Sequence, residues 1–396
     1  MRKLIQTIKN IWKIEDLRSR ILITLAFIAI YRFGSFVVIP GIDPSQLAAL
    51  QAQSADGLLG LLNMFTGGAF SQASIFALGI MPYISASIVI QLLGMAIPYF
   101  QKLQREGESG RRKINNITRY LTIVITAGQA PGYIANLKNT LPETAFLLGD
   151  GAFWFSSIII LVTGTLFVMW LGEKITDRGV GNGISLLIMI GIIASLPMSL
   201  LSEFTQSLDN QGGLVKFLVE IVILVVVIGL SILLVQGTRR IPVQYAKRIV
   251  GNKQYGGVRQ FIPLKVNAAG VMPIIFAQAL MFLPNTIGSM FSGNIGQWFI
   301  DNFSPDSWIY ATFLAIFIII FTYFYTAIAF NPVDVADNMK KNGGFIPGVR
   351  PGKSTADYID NILTRVTLPA AFFLALVAVV PTSLMKYGMD PSLAMF

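Results

Sequence analysis

Hydrophobic residues in this chain gather into runs long enough to cross a bilayer, separated by short polar or basic stretches. A helix needs about 20 residues to span the hydrocarbon core. The runs predict nine spans, at 21–39, 79–99, 120–137, 153–172, 184–202, 217–236, 267–290, 308–330 and 366–385. The first is too long for a cleavable signal and ends in Ile39-Pro40-Gly41-Ile42-Asp43, without small residues at a cleavage site. Ahead of it, residues 1–20 place Leu4, Ile8, Ile11 and Trp12 at helical spacing among Lys3, Lys9, Lys13, Arg18 and Arg20. That pattern reads as a basic amphipathic helix on an anionic membrane face or, equally, as a topogenic basic leader.

The stretch 63–93, NMFTGGAFSQASIFALGIMPYISASIVIQLL, departs from this simple alternation. The run Leu58 to Phe65 is about 12 Å long as a helix, too short to cross, and Gly67-Gly68 closes it. The following hydrophobic span is expected to be broken by Gly79 and Pro82. Non-helical backbone at membrane depth is tolerated only where protein or a water-filled cavity surrounds it. The stub reads either as a re-entrant piece inside a pore or as a helix lying on the outer surface.

Basic residues set the orientation. The N-terminal segment and the loops 100–119, 173–183, 237–266 and 331–365 hold 26 of the 30 Lys and Arg. The positive-inside rule puts these in the cytoplasm and residues 40–78, which contain no Lys or Arg, outside. Nine spans leave the C-terminus outside, so a tenth span is expected beyond Phe396. Gly79-Ile80-Met81-Pro82 in span 2 is echoed by Gly270-Val271-Met272-Pro273 in span 7. Five spans apart, the two cross in opposite senses, the mark of an inverted repeat of five plus five with the working site between the halves. Ile39-Pro40-Gly41-Ile42 resembles Ile346-Pro347-Gly348-Val349 as closely, and that pair does not fit the register.

Composition narrows the function. The 396 residues are 54% hydrophobic and 13% charged, and mean hydropathy is +0.65. A soluble protein would carry roughly twice that charged share. There is no Cys and no His, which excludes disulfides, thiol chemistry, His metal ligands, His proton relays and a Ser-His protease. No cofactor is expected. The interior of the spans lacks a mid-span Asp or Glu, and Arg32 is the only basic residue well inside one. Coupled transporters place an ionisable group near the midplane, so active solute transport is the second reading, with inverted repeats in its favour. No GxxxxGK[ST] loop is present, and nucleophile–base and metal constellations are lacking, so the chain is not read as an enzyme.

Ile80, Ile84 and Ile88 fall at four-residue spacing, as do Ile184 and Ile188, while Ser87 and Gln91 share another face of span 2. Packing or lipid contact explains most membrane isoleucines; an aliphatic ring that dewets a pore is the sharper alternative. The loop 237–266 has seven basic residues and no acid, with Ile241, Val243 and Tyr245 alternating before Gly251-Asn252 and Gly256-Gly257, which predicts a hairpin-like finger. The chain as a whole carries a net charge of +10, and this loop's share of it fits either a topogenic anchor or a grip on an anionic cytoplasmic partner such as ribosomal RNA. The loop 331–365 is mixed in charge and presents Arg350 on a stiff Pro-Gly turn.

Several long runs resemble one known family: the 63–93 stretch, EGESGRRKINNITRY (106–120), DRGVGNGISLLI (177–188), PLKVNAAGVMPIIFAQAL (263–280), FNPVDVADNMKKNGGFIPGVRPG (330–352) and YIDNILTRVTL (358–368). They are similar to bacterial SecY, the family of the central subunit of the Sec protein-conducting channel, from the first span to the end. The resemblance implies an all-α polytopic membrane protein of the bacterial cytoplasmic (inner) membrane, with two inverted pseudo-symmetric halves of five spans. In that layout residues 1–20 are a cytoplasmic helix and 21–202 the first half, with a plug at about 58–71. Residues 217–385 are the second half and 386–396 an external tail before an absent tenth span.

The same resemblance implies roles for individual residues. Ile80, Ile84, Ile184, Ile188 and Ile275 would form the pore ring. Leu58, Leu59, Leu61, Leu62, Asn63, Met64, Phe65, Gly67 and Gly68 would belong to the plug. Pro82, Ser87, Gln91 and Pro273 would lie at a lateral gate, where spans 2 and 3 face spans 7 and 8. Arg239, Arg240, Lys247, Arg248 and Arg350 would dock cytoplasmic partners. Implied partners are the subunits SecE and SecG, the SecA motor ATPase, the ribosome, signal peptides and unfolded polypeptides, and membrane lipids. The expected function is a passive channel that moves unfolded polypeptides outward and releases hydrophobic segments sideways into lipid, driven by a bound partner.

Overall fold

The computed structural model describes residues 6, 12–53, 60, 63–209, 213–245, 248–250, 253–255, 259–278, 280–281, 297–298, 302–303 and 307–386. These are mostly helical: α1 (Glu15–Gly34), α2 (Ala48–Gln53), α3 (Met81–Ala96), α4 (Pro98–Arg105), α5 (Glu108–Thr140), α6 (Asp150–Arg178), α7 (Gly183–Asp209), α8 (Gly213–Gln236), α9 (Trp308–Ala329), α10 (Pro332–Lys341) and α11 (Lys353–Lys386). Among the described residues five helices are long and apolar enough to cross a membrane: Asp150–Arg178, Gly183–Thr205, Gly213–Gln236, Trp308–Lys341 and Lys353–Val380. Met81–Gly94 with Pro98–Gln104 makes a sixth if that bent pair is one span. Helix α5 covers the third expected span and α1 covers 21–34 of the first, whose last five residues are not helical; charged residues occupy the N-terminal turns of both helices. The seventh expected span is described only in part, and the expected N-terminal amphipathic helix lies largely outside the described residues.

Local chemistry sets the boundaries. Ser307 caps α9 by accepting from the Ile309 N–H, and Asn331 caps α10 by accepting from the Val333 N–H at 3.1 Å. Ile97, preceding Pro98, is extended, as a residue before proline prefers, so the helical backbone breaks there and restarts as α4. One expectation needs correction. Gly79 and Pro82 do not interrupt a span; they start one. Gly79 has φ +53, α3 begins at Met81, and Pro82 sits in its first turn, where its missing N–H costs nothing. Residues 66–80 ahead of it are turns rather than helix.

The echoed motif in the second half has the same local form. Gly270 has φ +66 and helix resumes at Met272. The competing likeness has a separate explanation. Ile39-Pro40-Gly41-Ile42 and Ile346-Pro347-Gly348-Val349 are both turns with a positive-φ glycine third and a first-to-fourth backbone bond, at 3.3 and 3.1 Å. Proline second and glycine third is what a type II turn requires, so shared turn chemistry accounts for that pair.

The chain divides into two compact units, with the boundary between Glu203 and Phe204 in α7. The first has a core of Ile39, Leu50, Phe70, Ala73, Ile134, Leu137, Phe153 and Leu161, joining α5 and α6 to the loops after α1 and to the segment before α3. In the loop after α1, Asp43 accepts from the Ser45 N–H and from the Ser45 hydroxyl, which holds its carboxyl below the usual range.

In the second unit α9 packs on α11 around Tyr310, Leu314, Ile318, Leu374 and Ala375. The expectation of an all-α chain is corrected here. Strand β1 (Thr238–Tyr245) pairs antiparallel with β4 (Arg259–Lys265), and β2 (Arg248–Val250) with β3 (Lys253–Tyr255), so the basic loop is a finger of strands. Alternation decides which face is covered: Ile241 and Val243 are buried against Met339, Ile346 and Ile359, while Arg240 and Pro242 on the other face are exposed, as is Arg239 near the start of the strand. Strand β5 (Gly344–Phe345) adds to the other edge of β1, with Gln244 opposite Phe345, so one sheet joins the two long basic loops.

Candidate functional site

The most unusual backbone in the first unit is the segment 63–80, between a helical piece at 63–65 and α3. It is not a loose loop. Asn63 is its internal hub: its carbonyl accepts from the Gly68 N–H at 2.9 Å and the Thr66 hydroxyl at 3.1 Å, and its side-chain oxygen accepts from the Ser71 N–H at 3.0 Å. The Thr66 hydroxyl oxygen in turn accepts from the Phe70 N–H. Gly67 and Gly68, at φ +66 and +89, make the reversal. Further on, the Ile39 N–H donates to Ala73 and the Ile75 N–H to Val37, a short bridge to the chain leaving α1.

Helices grip the segment from several sides. The Tyr133 hydroxyl of α5 donates to the Phe70 carbonyl at 2.9 Å. From α1, the Tyr31 hydroxyl donates to the Thr66 carbonyl at 3.3 Å and Arg32 Nη1 to the Gly67 carbonyl at 2.7 Å. A charged donor contributes about 1.5–3 kcal/mol net against about 1 for a neutral one, so the Arg32 bond is the strongest of the three. The Phe76 ring is sandwiched between Tyr31 and Phe167, 6.1 and 5.8 Å from their centroids. Glycines permit this approach: a Cβ at Gly164 of α6 would strike the Ile75 carbonyl oxygen, and one at Gly67 would sit 2.9 Å from the Gly191 Cα of α7.

Of the expected plug residues, Asn63, Met64, Phe65, Gly67 and Gly68 are in this segment; Leu58, Leu59, Leu61 and Leu62 lie outside the described residues. Ile80 and Ile84 follow directly and are buried, one turn apart at the start of α3. Ile184 and Ile188 are half-buried on α7, with Ile184 packed toward Gly172 of α6. Ile275 belongs to the second unit, three residues into the helix starting at Met272.

Of the expected gate residues, Pro82 is buried in the first turn of α3 and Pro273 is buried in the second unit. Ser87 and Gln91 share a face of α3, with Gln91 Nε2 3.5 Å from Ser87 Oγ. Both line a cavity of about 450 Å³ whose other walls include Tyr83, Gln104, Arg111 and Asn115. Within electrostatic reach of Tyr83, Arg119 of α5 makes a two-pronged ion pair with Glu173 of α6, at 2.6 and 3.3 Å. Arg239 and Arg240 are exposed on β1, and Arg350 is exposed after the type II turn, its carbonyl accepting from the Thr355 hydroxyl at 2.8 Å. Lys247 lies outside the described residues, and of Arg248 only the backbone, in β2, is described. Among the described residues no group of three or more Asp or Glu side chains is placed to hold a metal ion.

The comparisons with known proteins fit this geometry. The sequence family described as SecY matches residues 74–395. A protein translocase subunit SecY from Streptomyces scabiei is 45% identical over 94% of this chain and 87% of its own length. The protein of that name from Escherichia coli K12 is 45% identical over 92% of this chain and 84% of its own. The chain belongs to the SecY family. Solved structures share the fold at lower identity. A protein-conducting channel matches with TM-score 0.59 at 17% identity, covering 96% of this chain and 89% of that one. A yeast Ssh1 complex bound to the 80S ribosome matches with TM-score 0.62 at 14% identity, covering 96% and 86%. A third, at TM-score 0.61, 17% identity and coverage of 96% and 88%, is a SecY protein whose plug domain stabilises the closed state and maintains a membrane seal.

Within this SecY-family chain, sequence reasoning did not find the grip residues Tyr31, Tyr133, Gly164 and Gly191. Arg32 did carry a signal, as the lone basic residue inside a span, but its partner is a carbonyl 35 positions away, which no local pattern encodes. Glu220 was also missed. It is buried on α8 with Lys216 Nζ at 3.7 Å, near the end that the charge rule puts outside.

Proposed function

We propose that this chain is the channel subunit of a bacterial protein translocase, conducting unfolded polypeptides outward across the cytoplasmic membrane and releasing apolar segments into lipid. The carrying observation is 45% identity, along nine-tenths of the chain, to protein translocase subunits. The enclosed segment 63–80 at the foot of α3 supports it, since a channel that must seal when idle needs a piece that fills its passage. In this reading the segment is the plug and Ile80, Ile84, Ile184, Ile188 and Ile275 form the constriction. An aliphatic ring offers a sliding chain no strong binding site while excluding hydrated ions. Spans 2 and 3 face spans 7 and 8 across a lateral gate with Pro82, Ser87, Gln91 and Pro273, in two inverted halves. The like local form of Gly79–Met81 and Gly270–Met272 supports that repeat. A segment at the gate partitions by its own transfer free energy, with Asp or Lys at the helix centre penalised by about 3 kcal/mol.

The N-terminus and the basic loops are cytoplasmic in this reading. Energy comes from a motor such as SecA or from a ribosome, with SecE and SecG as companion subunits. The sheet joining the 237–266 finger to residues 344–345 supports a shared docking platform carrying Arg239, Arg240, Lys247, Arg248 and Arg350. Motor-driven uptake of a secretory precursor into vesicles reconstituted with the chain and its companion subunits tests the proposal. Wild-type vesicles are expected to protect the precursor from protease, and Arg350→Glu to lower uptake about tenfold while inserting normally, the scale of reversing one charge in a docking contact. Absence of protected precursor in wild-type vesicles contradicts the channel reading; normal uptake by Arg350→Glu removes that residue's docking role.

A further inference from the structure

The structure assigns Arg32 as a latch that sets how tightly the segment 63–80 is seated, and so how often the idle channel opens. This rests on the proposed channel and plug. Arg32 sits in the last turn of the largely apolar helix α1, where a charged side chain is costly unless a partner compensates it. Here the partner is the Gly67 carbonyl at 2.7 Å, a backbone acceptor on the segment that must leave for a chain to pass.

Three features make the contact a latch rather than a general brace. It falls at the glycine reversal, where Gly67 is wedged between the guanidinium and the bare backbone of α7. A Cβ there would lie 2.8 Å from Arg32 Nη1 and 2.9 Å from the Gly191 Cα. Next to it the Tyr31 hydroxyl reaches the Thr66 carbonyl with the longer, neutral bond, so the charged bond dominates on that side. The guanidinium also lies over the Phe36 ring, 5.4 Å from the centroid, in the turn just after α1, a contact that does not involve the segment. Unseating the segment therefore breaks the hydrogen bond and leaves the ring contact in place, so the charge is not stranded. The bond is strong enough to hold the segment and breakable enough to release it.

Planar bilayers containing the full channel complex test this. Resting conductance per channel is divided by the conductance of the same channels opened with an arrested secretory chain. Arg32→Met keeps the apolar stem and removes the donor. It is expected to raise the resting fraction about tenfold, the effect of losing one charge-assisted hydrogen bond. Arg32→Lys keeps a charge with shorter reach and is expected to fall between. A general brace would lower the unfolding temperature of the complex and leave the resting fraction of the folded channels unchanged, and that result overturns the latch. Should Arg32→Met not insert, an unchanged resting fraction in Arg32→Lys overturns it as well, and a raised one supports it. Wild-type channels that stay silent with the arrested chain present contradict the channel reading itself, a different failure.

Discussion

Replacing Ile84 and Ile188 together with asparagine is expected to raise resting ion conductance of the reconstituted channel about tenfold or more. In the proposed reading these side chains narrow the passage with purely aliphatic surface. A gap that water does not fill is a barrier because an ion entering it loses hydration without gaining a ligand. An amide supplies a donor and an acceptor, so a water file persists and the ion keeps part of its shell. Ile84 is 7% exposed at the start of α3, one turn beyond Ile80, and Ile188 is half-buried on α7. A change to valine at both positions removes one methylene each and keeps the surface apolar, so conductance should stay near the wild-type level. Bilayer recordings of the two double variants separate polarity from volume; equal conductance in both would remove these residues from the barrier.

Gly164→Leu is expected to have the largest effect on folding. The helix backbone of α6 meets the segment 63–80 so closely at Gly164 that a Cβ would strike the Ile75 carbonyl oxygen and sit 3.3 Å from the Phe76 ring. Neither neighbour is free to move. Ile75 is tied to Val37 by its N–H, and Phe76 is held between Tyr31 and Phe167. Overpacking a constrained core costs about 1–3 kcal/mol, and striking backbone rather than a side chain puts this site at the upper end. The variant should unfold at lower temperature in detergent and accumulate poorly. Gly128→Leu on α5 is the control, because the space around that glycine is open. A similar loss in both variants would mean that helix-interior glycines, and not this contact, set stability.

Much of the framework was legible because hydrophobic length and charge placement are local signals. The runs at 153–172, 184–202 and 217–236 each lie within one helix, α9 covers 308–329 of the run at 308–330, and α11 takes in the run at 366–385. The finger of strands was visible in the alternation of Ile241, Val243 and Tyr245, which the β1–β4 register bears out. What stayed hidden was contact between distant positions. The addition of β5 to β1 joins residues about a hundred positions apart through backbone bonds that no side-chain pattern records. Gly79 and Pro82 were read as breaks in a helix because both disfavour helix interiors; at a helix start the same properties become permissive, and only the backbone shows which applies. The seat of the segment 63–80 is a third case. Its hub Asn63 and its latch Arg32 are ordinary polar residues until their acceptors and donors are known.

The central claim is that polypeptides pass through this chain, and the absence of native cysteine makes a direct measurement clean. A single cysteine at Ile84, with another placed in a secretory chain arrested during transit, is expected to give a disulfide-linked product. That product should require both the driving partner and the arrest. A cysteine at Val225, exposed on the apolar helix α8 and not among the proposed ring residues, should give none. Crosslinks at Ile84 and at the other proposed ring positions Ile80, Ile184, Ile188 and Ile275 support a continuous path. Absence of a crosslink at all five, with the arrested chain demonstrably spanning the membrane, would contradict the account.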